Sequence, residues 1–174
     1  MEFMCVIDYE VLHGAHNEEV VKEVSVSAQN VIETFHFKPP YHMTSHGSDE
    51  NGLAWDDGHL DYDSLRDTIR EAIASYAHLY AYGTHKSKYL TNLLGQPVRN
   101  LEDFGCPAPH GLKSDYSCSM PCHKNYLNYR CATRNARTLY KWLMHHLQSR
   151  QYINCPPDYT RHTASFNAGI SRDN

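Results

Sequence analysis

The segment FMCVIDYEVL at residues 3–12, followed by VVKEVSVSA at 20–28 and VIETFHF at 31–37, decides the fold of this chain. The first run is dense in apolar and β-favouring side chains and predicts a strand. His13-Gly14-Ala15-His16-Asn17 is turn chemistry. In the second run Val20, Lys22, Val24 and Val26 alternate with Val21, Glu23 and Ser25. A repeat of two puts successive side chains on opposite faces of a sheet, so this run is a second strand. The third run alternates again and stops at Pro39-Pro40. Three strands joined by short turns predict an antiparallel meander.

Outward from the meander the pattern changes. Residues 39–62 are rich in Pro, Gly, Ser, Asn, Asp and His and predict a long loop anchored by Trp55. Leu65, Ile69, Ala72, Ile73 and Tyr76 repeat at helical spacing and predict a helix over 64–76, with Asp63 or Ser64 as its cap. HLYAY at 78–82 is a buried strand, 86–94 a helix stopped by Gly95, and 98–101 a short strand. After a loop over 105–117, Ala132, Ala136, Leu139, Tyr140, Leu143 and Leu147 predict a last helix over 131–147. Periodicity is lost from residue 150 onward. The chain therefore divides into a domain at 1–149 and a flexible tail at 150–174. A meander followed by β-α alternation is an α/β mixed sheet with flanking helices, its fourth strand beside the first.

Composition bounds the function. A chain of 174 residues fits one domain, and 41% apolar residues with 13 tyrosines argue against global disorder. No apolar run approaches the roughly 20 residues that span a bilayer. Glu2, Asp8 and Glu10 near the start replace the basic opening of a secretory signal, so an intracellular protein, cytoplasmic or nuclear, is expected. In that setting the six cysteines are reduced. Cys106, Cys118, Cys122 and Cys131 gather beside His110 and His123, which suggests metal before disulfide. Cys5 and Cys106 are expected to pack as small apolar groups. The net charge of −4 lends no support to a nucleic-acid binder.

The order of elements resembles the RNase H-like superfamily, and particular blocks resemble its DEDD exonucleases. Val6-Ile7-Asp8-Tyr9-Glu10 looks like the Asp-x-Glu motif of the first strand, and Val21 to Val26 like the second strand. Thr34 to Pro39 resembles the third strand, Leu79 to Gly83 the fourth, and Leu101-Glu102-Asp103 falls at the fifth. That family uses four carboxylates around two magnesium or manganese ions, which activate water and stabilise a leaving oxygen. The resemblance makes Asp8 and Glu10 the candidate catalytic residues. It departs at two places: Lys86 stands where the second motif has Asp, and Asn135-Ala136 where the last motif has Asp before a small residue. A cation in place of one ligand opposes a metal pair.

Cys118-Ser-Met-Pro-Cys122-His123, with Cys131-Ala132 opening the last helix, resembles the Maelstrom domain, a degenerate relative of the same exonucleases. That resemblance implies a Glu-Cys-His-Cys zinc site made here by Glu23, Cys118, His123 and Cys131, with Cys122 as the substitute for Cys118. Thiolate and imidazole ligands suit tetrahedral zinc. Cys131 at a helix start would also meet the positive end of the helix dipole. The alternative for Glu23 is a solvated strand residue.

Three functions remain open. One is a degenerate, non-catalytic, zinc-stabilised domain that binds RNA or single-stranded DNA, or acts as a scaffold, with Lys86 and Lys88 as candidate phosphate contacts. The second is an active metal-dependent 3′-to-5′ exonuclease using Asp8, Glu10 and a substitute such as Asp103. The third is a protein-interaction module without nucleic acid. No membrane partner is expected.

Overall fold

The computed structural model describes residues 3–43, 52–117 and 131–154, with side chains to residue 150. Strands β1 (Met4–His13), β2 (Glu19–Ser27) and β3 (Ile32–His36) form the antiparallel meander. Helix α1 (Leu65–Ile73) leads to β4 (His78–Ala81), and α2 (Thr84–Leu94) to β5 (Val98–Asn100). Helix α3 (Ala132–Asn154) closes the described chain. The sheet order is β3-β2-β1-β4-β5, with β4 parallel to β1 and β5 parallel to β4. This is the expected mixed α/β sheet, fourth strand beside the first.

Register decides which residues meet. Asp8 pairs with Ser25, and Ser25 with Thr34; Glu10 pairs with Glu23, and Glu23 with His36. Paired residues share a face. One face thus carries two polar rows. The opposite face carries Tyr9, Val24 and Phe35 in one row and Ile7 and Val26 in the next. Helix α3 lies on the polar face, where Thr133 Oγ1 is 2.7 Å from Thr34 Oγ1. Helix α1 lies against the apolar face, where Ile69 and Ile73 join the core of Ile7, Val24 and Val26.

The ends of the elements differ from the periodicity in instructive ways. Helix α1 stops at Ile73 rather than Tyr76, because Ala77 and His78 turn their amides to the Phe3 carbonyl to enter β4. Ser64 makes no side-chain cap; its hydroxyl donates to the Asp61 carbonyl. Gly95 ends α2 with φ +70°, a conformation that favours glycine. Helix α3 runs to Asn154, past the boundary drawn at residue 149. The remainder of the predicted tail lies outside the described residues.

Trp55 anchors the loop after β3, as expected, in a small cluster with Leu12 and Val20. Its partner leaves no local trace in the sequence. Lys22 is 1% exposed, and its ammonium donates to the carbonyls of Trp55 at 2.7 Å and Asp57 at 2.5 Å. The loop is strapped across β2 by a buried cation. Burial lowers the Lys22 pKa from 10.5 to about 8, with Asp57 and Asp56 opposing that fall.

Candidate functional site

Strand β1 delivers Asp8 and Glu10 to one face, two residues apart, beside the start of α2. Asp8 is 2% exposed. Lys86, in the first turns of α2, reaches across to it: Nζ lies 2.6 Å from Asp8 Oδ1, 2.6 Å from the Tyr9 carbonyl and 3.8 Å from Glu10 Oε1. The same ammonium sits 5.0 Å above the Tyr9 ring. Burial disfavours its charge, but Asp8 and Glu10 outweigh that, and Lys86 titrates above the ordinary lysine range. The second oxygen of Asp8, Oδ2, is buried without a hydrogen-bond partner among the described residues. A divalent ion placed against these carboxylates would lie beside a fixed ammonium, so the set present fits a single internal cation better than a metal pair. Asn135 is buried on α3.

Glu23 occupies the next strand of the same face and is 0% exposed. This overturns the alternative of a solvated strand residue. One carboxylate oxygen accepts from the Ala132 amide at 2.8 Å, capping α3 from outside the helix, and the other lies 2.8 Å from His36 Nε2. The adjacent Cys131 is 2% exposed, and the Arg134 amide donates to its sulfur at 3.4 Å. Two of the four residues assigned to a zinc site, Glu23 and Cys131, therefore both lie at the start of α3. Carboxylate and thiol are apt zinc donors. Cys118, Cys122 and His123 lie outside the described residues. Among the described residues no three His, Cys, Asp or Glu side chains group as a metal cluster.

The sequence did not single out His36. Its register opposite Glu23 on β3 is the signal that finds it. Cys5 and Cys106 are buried, and burial pushes each thiol up to about 12, as inert core groups. Lys88 and Arg99 are exposed and flank a cleft of about 430 Å³ that also holds Thr84, Ser87, Asn100 and Asp103. Asp103 thus faces this cleft, on the exposed turn after β5. No helix among the described residues is long and apolar enough to cross a membrane.

No family model and no curated protein matches the chain. Among solved structures, E. coli exonuclease I in complex with a dT13 oligonucleotide is similar, with a TM-score of 0.50 and 12% identity. The similarity covers 88% of this chain and 43% of that one, so the chain spans less than half of that enzyme's length. At this identity the likeness establishes the fold alone, an α/β mixed sheet with flanking helices of the RNase H-like kind.

Proposed function

We propose that this chain is a non-catalytic exonuclease-like domain whose lysine has replaced the metal pair, retained for binding single-stranded nucleic acid. The observation that carries this reading is the contact of Lys86 with Asp8 at 2.6 Å. A two-metal mechanism needs carboxylates free to hold cations against the phosphodiester. Here one carboxylate is already neutralised from within the protein. The active-nuclease reading is disfavoured by the same contact and by Asn135 in place of a last-motif carboxylate.

Binding of a single strand draws support from two sides. Lys88 and Arg99 are exposed cations beside a cleft at the start of α2, and phosphate contacts by such cations supply most sequence-independent affinity. The similar E. coli exonuclease I was solved with an oligonucleotide. The scaffold reading draws support from the net charge of −4. In the Maelstrom-like form of the proposal, Glu23 and Cys131 hold zinc together with Cys118, or Cys122, and His123. Bound zinc would tie the second strand to the start of α3 and so add to folding stability.

The test uses labelled single-stranded DNA and RNA with magnesium or manganese. Both strands stay intact, and anisotropy reports binding that weakens in Lys88→Glu and Arg99→Glu. Cleavage that disappears in Asp8→Ala would establish the nuclease instead. Absence of binding to either strand would leave the scaffold reading.

A further inference from the structure

Among the described residues the outer edge of the sheet at β3 is unpaired along Ile32 and Thr34. Ala28 donates to the Val31 carbonyl and Phe37 to the Lys22 carbonyl, so residues 31 and 37 turn their backbone groups toward β2. Antiparallel pairing alternates. Residues 33 and 35 therefore also face β2, while 32, 34 and 36 face outward. The His36 carbonyl is met by the amides of His59 and Leu60. Among the described residues nothing meets the outward amides and carbonyls of Ile32 and Thr34, although β3 is the last strand on that side. Natural sheets cover, shorten or charge such an edge, because it is a template for another strand.

Two hollows adjoin this edge and share Val31 and Tyr76. Between β3 and α1 runs a groove of about 520 Å³ with Phe35 in its wall and Glu33 and Glu71 on either side. No described cation pairs with either carboxylate. At the hairpin end it meets an apolar hollow of about 200 Å³ formed by Phe3, Met4, Val31, Tyr76, Tyr140 and Met144. Phe3 is 69% exposed and Val31 41% exposed, two large apolar side chains left in water at the same place. Arg137 donates to the carbonyls of Ala28 and Gln29, so the hairpin that lines the hollow is tied to α3.

We infer that this groove docks an extended segment of a partner protein, adding a strand to β3, with basic side chains over Glu33 and Glu71 and a large apolar side chain in the hollow. Main-chain bonds to Ile32 and Thr34 would supply affinity, and the alternation of groove and hollow would supply selectivity. The charge of the groove selects a basic segment over an acidic one. This surface lies apart from Asp8, Glu10 and Lys86 and does not depend on the reading of that centre.

A fluorescein-labelled Lys-Val-Lys-Val-Lys-Phe peptide, capped at both ends, and its counterpart with Glu for every Lys provide the probes, with anisotropy as the readout. The basic peptide binds and slows hydrogen exchange at Ile32 and Thr34, and the acidic one does not bind. Ile32→Pro keeps the fold, since proline is tolerated at the first residue of an edge strand, and weakens binding about five-fold through one lost main-chain bond. Glu33→Lys with Glu71→Lys, both at exposed positions, reverses the preference toward the acidic peptide. Equal binding of the two peptides, protection of amides away from β3, or failure of both to bind would overturn the inference. So would self-association of the protein abolished by Ile32→Pro, which would make a second copy the occupant.

Discussion

Replacing Lys86 with methionine removes the ammonium and keeps most of the side chain's bulk. At 2.6 Å the attraction between Lys86 and Asp8 is about 6 kcal/mol in an effective dielectric of about 20. Much of that is offset by the cost of drawing both groups out of water. Breaking such a pair from one side strands the other charge and typically costs about 3–5 kcal/mol. The Lys86 side chain is 27% exposed, which lets water approach the vacated space and favours the lower figure. The expected loss is about 3 kcal/mol, which for a domain of this size lowers Tm by about 6–12 °C. Lys86→Asp should lose more, because three carboxylates then converge. Manganese should restore it: at 100 times its Kd a ligand stabilises by about 2.7 kcal/mol. Calorimetry of the wild type and both variants, with and without manganese, measures all of this. A Lys86→Met protein melting within about a degree of the wild type would mean that the Lys86–Asp8 pair does not stabilise the fold. Manganese stabilising the wild type as much as Lys86→Asp would mean that the lysine does not exclude metal.

The buried strap of β2 predicts a pH dependence. Lys22 titrates near 8 when folded and near 10.5 when unfolded, so between those values the unfolded chain holds the extra proton. Stability should therefore rise with pH across that window, by up to about 3 kcal/mol, and the penalty is fully present below about pH 8. Unfolding curves of the wild type and Lys22→Met should diverge from pH 8 to 10.5; parallel curves would contradict this. Glu23→Ala leaves the Ala132 amide and His36 without their acceptor and should cost about 3 kcal/mol by denaturant titration, against about 1 kcal/mol for Ser25→Ala. Cys131→Ser separates a zinc ligand from a cap: a hydroxyl can still accept the Arg134 amide. Loss of zinc by elemental analysis with a lowered Tm is expected, Cys5→Ser showing neither. An unchanged melt and no zinc in either protein would remove the metal.

The sheet was legible because its signals are local. Alternation in 20–28 and 31–37, with a turn at His13 to Asn17, specifies strands and their order without help from the rest of the chain. What escaped is what hides β2. Its alternation of Val with Lys22, Glu23 and Ser25 resembles a half-exposed strand, yet residues 20–27 are all buried. Lys22 is covered by the loop of Trp55 and Asp57, and Glu23 by the first turn of α3, partners far along the chain. The end of α3 escaped for a different reason. Gln148, Arg150 and Gln151 have good helix propensity but no apolar stripe, so the helix continues where periodicity has ceased.

At the candidate centre, the sequence supplied Lys86 as a departure from a motif but could not show where its ammonium goes. The contact with Asp8 joins residues 78 positions apart and leaves no local trace. His36 escaped because a histidine on a short strand carries no signal until the register places it beside Glu23. Cys131 and Glu23, by contrast, were paired from the resemblance, and the structure brings them to the same helix start.

If the carboxylate centre is closed by its own lysine, manganese binding followed by electron paramagnetic resonance will show it. Titrated into the wild-type protein, manganese should remain free in solution at the level seen with Asp8→Ala, while Lys86→Asp should take it up. Manganese held by the wild type and released by Asp8→Ala would mean that Lys86 leaves the centre open to metal.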